Sequence, residues 1–350
     1  MNHASSAQPV SDDVLIPTVL HWGRYTARVR NGRVVGMTPE PRDPNPSPIG
    51  QSVVDATHSP ARVMQPMVRK GYLTHGPRKG NNPRGAEPFV PVSWDEALDL
   101  VATALTDTKT KHGNASIFGG SYGWSSAGRF HFAQGQLQRF LNLFGGFTDH
   151  RDSYSYGAMG VILPHVIGDT LRMRRDVPTW GDIAKHTQLF VAFGGVPVKN
   201  TQVNPGGLLR HTAVADMLAC RKAGVEFVNI GPLRDDIANG LDAQWISIRP
   251  NTDAAFMLAL IHTLIAENIH DADFAVRCCV GFDTLRDYVL GKTDGIAKTP
   301  AWAATICDCS AEVIATLARK IAASRSVISM IWAVQRGDHG EQAPWLAVAV

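Results

Sequence analysis

The sequence predicts a mixed α/β fold of more than one domain, with a β-hairpin region near the N-terminus and a parallel-sheet domain in the second half. The chain has 350 residues, 44% of them hydrophobic and 19% charged, which is more than a single ordinary domain requires. An Asn31-Gly32 pair separates two short runs of alternating apolar residues. From Thr187 onward, short apolar runs alternate with helical patterns.

The N-terminal region is predicted from its turn. An Asn-Gly pair is the strongest two-residue signal for a β-hairpin. The apolar residues on its two sides are Tyr25, Ala27, Val29, Val34, Val35 and Met37. A stretch rich in Pro, Ser and Asp follows from Pro39 to Pro60 and has no periodicity. Residues 1–60 are therefore predicted to form a hairpin and a connector.

The middle of the chain begins with a helix-start signal. Ser93, followed three residues later by Glu96, predicts a capping box that opens a helix reaching about Lys111. The next predicted elements are a short buried strand at 115–118, a helix at 126–143 and a polar loop at 145–160. We expect residues 61–186 to form part of an α/β active-site domain.

The second half shows strand and helix patterns in alternation. The predicted strands are 189–193, 225–230, 245–248 and 326–331, and the predicted helices are 208–223, 253–265 and 311–323. This alternation predicts a parallel sheet covered by helices on both faces. We expect residues 187–350 to form a Rossmann-like dinucleotide-binding domain, although no G-x-G-x-x-G fingerprint is present.

The end of the sequence lies inside the apolar stretch 345–350. Because no cap or polar tail follows it, we expect the last domain to be truncated and the chain to be a fragment. A terminal strand or helix packed into the core is the alternative.

Composition argues against several classes of partner. The 34 basic and 31 acidic residues give a net charge of +3, and the basic residues are scattered, so no nucleic-acid partner is expected. No apolar run approaches the roughly 20 residues that span a bilayer, and the start shows neither a signal-peptide pattern nor a twin-arginine pair. We therefore expect a cytoplasmic protein with no membrane partner. The five cysteines lack a C-x-x-C pair, which favours reduced thiols.

One motif is compatible with a hydrolase. Gly119 to Gly123 fits G-x-S-x-G, the pattern of a nucleophile elbow between a strand and a helix, with Ser121 as the nucleophile. No HGGG-type oxyanion loop accompanies it. A glycine-rich strand exit is the structural alternative.

Two further polar segments could carry chemistry. Asp152 to Ala158 contains two serines and two tyrosines and precedes an apolar run, and a turn without chemistry is one interpretation of it. Trp332 to Gln342 directly follows a predicted parallel strand. In open α/β sheets, ligands bind beyond the carboxyl ends of such strands.

Several segments together resemble one enzyme family. They are 66–71, 92–98, 121–124, 154–158, 163–168, 295–299 and 335–342. Their residues, in this order, resemble those of the molybdopterin oxidoreductases of the dimethyl sulfoxide reductase type. The nearest branch is that of biotin sulfoxide reductase, and that of trimethylamine N-oxide reductase is next.

The resemblance implies a cofactor and a set of site residues. The cofactor is molybdenum held by two molybdopterin guanine dinucleotides and one protein ligand, which here would be the Ser155 alkoxide. The catalytic residues would be Tyr122, whose hydroxyl addresses the oxo or substrate oxygen, Trp124 beside it, and Ser155. The implied cofactor-binding residues are Trp124, Ser155, Thr252, Asp253, Gln335, Arg336 and His339.

The implied activity is oxygen atom transfer. A small S-oxide or N-oxide would lose its oxygen as water, with electrons from a separate donor, and a truncated inactive fragment of such an enzyme is the alternative. An iron–sulfur cluster is not expected, because no cysteine precedes Cys220. Val196, Gly231 and Asn251 depart from the family pattern at loops expected to touch a guanine dinucleotide. We also expect the 350-residue chain alone to bind no stoichiometric molybdenum.

Overall fold

The computed structural model describes residues 13–77, 85–121, 123–124, 132–168 and 176–350. The chain divides into two compact units. The first comprises Met1–Arg151 with Val203–Arg210, and the second comprises Asp152–Gln202 with His211–Val350. The boundary at residues 151 and 152 falls inside the predicted segment 61–186, and the division into three domains stays a prediction.

The first unit opens with a three-stranded antiparallel sheet of β1 (Val14–Leu20), β2 (Gly23–Arg30) and β3 (Arg33–Pro39), in that order. Both residues of the turn between β2 and β3 have positive φ, 49° at Asn31 and 75° at Gly32, as a type I′ hairpin requires. The predicted hairpin is confirmed, and β1 is an additional strand. Tyr25, Ala27 and Met37 form its small core.

The remaining elements of the first unit are short strands and helices. They are α1 (Ser52–Thr57), β4 (Met67–Arg69), α2 (Lys70–His75), β5 (Phe89–Pro91), α3 (Trp94–His112) and α4 (Ala133–Leu143). Ser93 caps α3, because its Oγ accepts a hydrogen bond from the Glu96 amide at 3.1 Å. The predicted helix start is therefore confirmed.

The predicted buried strand at 115–118 is wrong. Asn114–Ser116 is a 3₁₀ turn, and Phe118, 66% exposed, makes a single parallel bridge with Thr148. The Thr148 hydroxyl donates to the Ala115 carbonyl at 2.6 Å, and Nδ2 of the Asn114 side chain donates to the Gly146 carbonyl at 2.8 Å. These backbone carbonyls therefore accept hydrogen bonds from side chains, whereas in a sheet they would accept them from the backbone of a neighbouring strand.

Two predicted boundaries in this region also shift. The helix predicted at 126–143 begins at Ala133, because Phe132, with φ of −110° and ψ of 88°, is its non-helical N-cap residue; residues 125–131 lie outside the described part of the chain. The predicted loop at 145–160 ends earlier, because a helix begins at Gly157.

The second unit is built on a parallel four-stranded sheet. Its strands are β6 (Leu189–Phe193), β7 (Glu226–Ile230), β8 (Gln244–Ile246) and β9 (Ser326–Met330), in the spatial order β8-β7-β6-β9. The helices around it are α5 (Gly157–Val166), α6 (Trp180–His186), α7 (Val198–Thr201), α8 (Ala213–Lys222), α9 (Asp253–Ala266), α10 (Ala272–Cys278), α11 (Phe282–Val289), α12 (Pro300–Cys307), α13 (Ala311–Ala323) and α14 (Gln342–Ala349). The predicted α/β fold with a hairpin region and a parallel sheet is confirmed.

Both faces of the sheet are buried, as in other parallel sheets. Leu189, Val191 and Phe193 of β6 pack into a cluster that includes residues of α9, α12, α13 and α14. Phe190 and Ala192 pack into a second cluster with residues of α6 and α8. Successive side chains of β6 thus face opposite sides of the sheet, and both sides are buried. This explains why the run at 189–193 is apolar throughout.

The strand order places a switch point beside β6. Chain order runs from β6 through β7 to β8 on one side, whereas β9 lies on the other side. The loops after β6 and β9 therefore leave the sheet at adjacent carboxyl ends, where open α/β sheets bind ligands. The loop after β9 carries Gln335, Arg336 and His339.

Within the described ranges no single helix is long and apolar enough to cross a membrane, although Pro300–Cys307 and Ala311–Ala323, bent by 120°, meet that length and composition test as a pair.

Candidate functional site

The first part of the site is the loop that carries Ser155. The loop is held by its own polar groups: the Ser153 amide donates to Oδ1 of Asp152 at 3.0 Å, and the Ser155 amide donates to Oγ of Ser153 at 3.2 Å. Asp152 adopts a left-handed conformation, with φ of 66°, which aspartate tolerates better than most residues. The serine is half-buried, whereas the neighbouring Tyr154 is fully exposed.

Gln335 fastens this loop from the far side of the chain. Its side chain is only 3% exposed. Nε2 of Gln335 donates to the Ser155 carbonyl at 3.1 Å, and Oε1 accepts from the amides of Ala158 at 2.9 Å and Met159 at 3.4 Å. The Gln335 amide is therefore engaged by backbone groups of residues 155–159.

Two neighbours of Gln335 contact the same loop. Nε of Arg336 also donates to the Ser155 carbonyl, at 3.1 Å. The rings of Trp332 and Tyr156 lie 4.8 Å apart at an angle of 54°. Three residues of the segment after β9 thus fix the backbone on both sides of the Ser155 side chain. Among the described residues, none forms a hydrogen bond with the Ser155 hydroxyl.

The second part of the site is a pocket of about 290 Å³. It brings together three residues that the sequence predicted for cofactor binding, Thr252, Asp253 and His339. Its other lining residues include Asn251, Val334 and Asp338, so the pocket lies between the start of α9 and the segment after β9. Ser155 is not among the residues that line it.

Asp253 is an unusual carboxyl group in this pocket. Its residue is 8% exposed, and burial raises the pKa of the carboxyl from 3.8 to about 6. Behind it, the Cys307 thiol donates to the Thr252 carbonyl at 3.5 Å, and burial raises the pKa of that thiol. The Thr252 hydroxyl donates to the Arg249 carbonyl at 2.6 Å, which fixes its orientation.

Asn251, one of the three departures from the family pattern, fits its position. Its φ is 64°, in the left-handed region that favours glycine and, next to glycine, asparagine. Its side chain lies against Gly337, where a Cβ atom would come within 2.5 Å of Cγ of Asn251. The two loops that line the pocket therefore interlock at this pair of residues.

The other two departures lie at the carboxyl ends of β6 and β7. The Val196 amide donates to the Asp236 carbonyl at 2.8 Å, and the Gly231 carbonyl accepts from Nε1 of Trp245 at 2.9 Å. Nearby, the fully buried Asn229 donates to the carbonyls of Leu233 and Arg234 at 3.2 and 3.3 Å. Asn229 shapes the loop after β7, and a polar residue inside an apolar strand was the signal that could have identified it.

Of the two predicted aromatic residues, the structure describes Trp124, which belongs to the first unit. The Trp124 ring lies edge-on to the His21 ring at 5.3 Å. Tyr122 lies outside the described residues. The first unit also contains Ser121, which is exposed.

The geometry around Ser121 does not form a nucleophile elbow. The strand that should precede it consists of the single bridge at Phe118. Gly119 has a packing role instead, since a Cβ atom there would lie 2.5 Å from the side chains of both Leu141 and Phe147. Close packing therefore explains this glycine of the G-x-S-x-G pattern.

Comparison with known proteins identifies the family. Residues 62–350 match the molybdopterin oxidoreductases, and residues 21–58 match the N-terminal domain of molybdopterin oxidoreductases. The chain belongs to the molybdopterin oxidoreductase family. The description of this family names molybdopterin as the cofactor and oxidoreduction as the type of reaction.

Similar proteins carry related names. The chain is 42% identical over 331 residues to dimethyl sulfoxide/trimethylamine N-oxide reductase of Cereibacter sphaeroides, which covers 94% of the chain and 40% of the relative. It is 42% identical over 319 residues to biotin sulfoxide reductase of the same organism, covering 90% and 42%. Trimethylamine-N-oxide reductase of Haemophilus influenzae is 36% identical over 335 residues, covering 96% and 40%. These findings give no support to a serine hydrolase.

The chain spans about two fifths of the length of these relatives. Among solved structures, acetylene hydratase from Pelobacter acetylenicus is similar, with a TM-score of 0.62 and 20% identity, covering 95% of this chain and 42% of that one. This likeness concerns the fold.

The described residues fit the protein side of such a cofactor. No group of three or more His, Cys, Asp or Glu side chains in the described ranges is arranged to hold a metal. A molybdenum that arrives with sulfur ligands from its pterin needs fewer ligands from the protein, and one hard oxygen donor suits it. The Ser155 hydroxyl, on a loop whose backbone is fixed, is such a donor.

Proposed function

We propose that this chain forms part of a molybdenum-dependent reductase that removes oxygen from S-oxides or N-oxides. The observation that carries the proposal is the Ser155 loop, which presents a hydroxyl while Gln335 and Arg336 hold its backbone at 3.1 Å. The names of the similar proteins point to the substrate class of dimethyl sulfoxide, trimethylamine N-oxide and biotin sulfoxide. In the overall reaction the substrate gains two electrons and two protons and releases its oxygen as water.

The cofactor in this proposal is molybdenum with two molybdopterin guanine dinucleotides. When bound, it supplies the oxygen atom transfer and the two-electron redox chemistry. Ser155 would be the protein ligand to the metal. Thr252, Asp253 and His339 would contact the dinucleotide part, because they line one pocket beside the carboxyl end of the sheet.

The remaining site residues have distinct roles in the proposal. Tyr122 would donate a hydrogen bond to the substrate oxygen, where such a bond strengthens as negative charge develops. Trp124 would form an apolar wall beside it that excludes water. Arg336 and Gln335 hold the Ser155 peptide through its carbonyl, and they keep their place among the proposed cofactor-binding residues. The electrons come from a separate donor, and we propose a cytoplasmic location with neither nucleic-acid nor membrane partners.

Replacement of the proposed ligand tests the function. Ser155→Ala should lower S-oxide and N-oxide reduction by roughly a hundredfold or more, because a ligand is at least as important as the groups that orient it. The protein should be expressed from its complete reading frame in a host that makes the cofactor, and turnover should be followed with reduced methyl viologen.

Ser121→Ala is the matched control, because Ser121 is exposed and the proposal gives it no role. It should keep its molybdenum content and its rate. Normal turnover with normal molybdenum content in Ser155→Ala would contradict the assignment of the ligand.

A further inference from the structure

The helix that follows the Ser155 loop has no cap of its own. Its N-cap residue, Tyr156, has φ of −153° and ψ of 18° and makes no side-chain cap hydrogen bond. The first amides of any helix lack partners inside the helix. In α5, those of Ala158 and Met159 are satisfied instead by Oε1 of Gln335, which lies 177 and 176 residues away in sequence.

Both polar atoms of the Gln335 side chain form hydrogen bonds. Its oxygen accepts from the start of α5, while its nitrogen donates to the Ser155 carbonyl at 3.1 Å. The opposite orientation of the amide would point hydrogen atoms at two backbone amides and an oxygen at a carbonyl, so only one orientation satisfies all three groups. The side chain is nearly fully buried, and an unmade hydrogen bond there is costly.

We infer that Gln335 is a positioning residue that caps α5 from outside the helix and thereby sets the orientation of the Ser155 peptide. The evidence for the cap is the pair of hydrogen bonds from the amides of Ala158 and Met159 to Gln335. Its importance for the metal rests on the proposed role of Ser155 as the ligand. Arg336 donates to the same carbonyl from an exposed side chain, so it contributes less than the buried amide.

The chain offers a matched control at the opposite end of the sheet. Oε1 of Gln188 accepts from the Arg325 amide at 2.9 Å, 137 residues away. Gln188 precedes β6 and Arg325 precedes β9, so this bond lies at the amino ends of the strands, whereas Gln335 lies beyond the carboxyl end of β9. Gln188→Met therefore removes the same kind of side-chain-to-backbone bond, from an exposed glutamine, without touching the Ser155 loop.

Hydrogen exchange of the 350-residue chain without cofactor tests the cap. In Gln335→Met the amides of Ala158 and Met159 should exchange at least tenfold faster, because their acceptor is removed. In Gln335→Glu they should stay protected, because a carboxylate accepts both bonds and is favoured at a helix N-terminus. Gln188→Met should leave both amides unchanged. The amide of Leu260, in the core of α9, reports whether a variant has lost global stability.

The loaded enzyme, expressed from the complete reading frame, tests the positioning role. Gln335→Glu keeps the cap but cannot donate to the Ser155 carbonyl, so kcat for S-oxide reduction should fall at least tenfold with little change in KM. The Mo(V) electron paramagnetic resonance spectrum should shift in the same variant, since the ligand geometry changes. Gln188→Met should match the unmodified enzyme in both measurements.

The outcomes separate the two proposals. Unchanged exchange at Ala158 and Met159 in Gln335→Met, with Leu260 still protected, would overturn the cap whatever the metal does. Faster exchange in that variant, together with an unchanged rate and spectrum in Gln335→Glu, would overturn the positioning role. Failure of the proposed function is detected independently, as normal turnover in Ser155→Ala.

Discussion

At the scale of single residues, the structure adds side-chain contacts that motif matching does not give. The Gln335 side chain binds the backbone of residues 155–159, and its contact with the cofactor, which the resemblance implies, stays a prediction. Thr252, Asp253 and His339 do line one pocket. A sequence pattern shows which residue types recur together, but the partner of a side chain depends on contacts between distant segments.

Asp253 leads to a prediction about pH. Because burial raises the pKa of its carboxyl from 3.8 to about 6, the folded state binds this proton more tightly than the unfolded state. Its contribution to the free energy of unfolding is therefore present below about pH 4 and is lost as the pH rises towards 6. A shift of this size corresponds to about 3 kcal/mol, at about 1.36 kcal/mol for each pKa unit.

Asp253→Asn removes this dependence. At pH 7 the variant should be more stable in urea unfolding by up to about 3 kcal/mol, and the difference should disappear towards pH 4. Asp273→Asn, at an exposed position in the first turn of α10, gives the effect of removing an ordinary first-turn carboxyl. The same stability difference at pH 4 and pH 7 would show that folding does not raise the pKa of Asp253.

At the scale of secondary structure, apolar runs that span both faces of a sheet were predictable. The strand at 189–193 was predicted at its observed bounds, because every residue in it is buried. The strand prediction for 115–118 was wrong because hydrogen bonds from the side chains of Asn114 and Thr148, rather than burial, determine the shape of this segment. β1 was not predicted, since its sequence pattern is interrupted by Pro17 and most of its residues are exposed.

The interlock of Asn251 with Gly337 leads to a prediction about two loops. Gly337 is extended, with φ of −84° and ψ of −180°, so alanine meets no backbone strain there. A Cβ atom would instead press on the Asn251 side chain. Gly337→Ala should therefore destabilise the protein by about 1 kcal/mol, because the exposed Asn251 side chain has to move.

A double-mutant cycle in urea measures this coupling. In an Asn251→Gly background, Gly337→Ala should change the free energy of unfolding by less than about 0.5 kcal/mol. Gly181→Ala in α6 is the control, because a Cβ atom there meets only an ordinary contact, 3.6 Å from Oγ1 of Thr179. Equal effects of Gly337→Ala in both backgrounds would show that the two loops do not interlock.

At the scale of the molecule, apolar burial is uneven between the two units. Among the described residues, the largest fully buried side chains are Tyr25 in the first unit and others that belong to the second. Along α3 in the first unit, Trp94 and Leu98 are 71% and 60% exposed. In the second unit, α9 has ten buried residues in succession or nearly so, from Asp253 to Leu264.

The two units should therefore open at different free energies. Amides in α3 should exchange at least tenfold faster than amides in α9, because local stability follows the apolar contacts that an opening breaks. As urea is added, amide exchange in α9 should become limited by cooperative unfolding. Exchange in α3 should remain governed by local opening. Equal protection of both helices would mean that the chain unfolds as one unit.

The bonds between Gln335 and the start of α5 also order events in time. The carbonyl and amides that they fix are synthesised about 180 residues before the side chain that fixes them. At roughly 5–20 residues per second, the interval between the two on the ribosome is about 10–35 s. Throughout that interval Ser155 is present in the nascent chain without the hydrogen bond from Gln335 to its carbonyl. Gln335 cannot fix the Ser155 loop until the segment after β9 has been made, so the final shape of this loop depends on the last strand of the sheet.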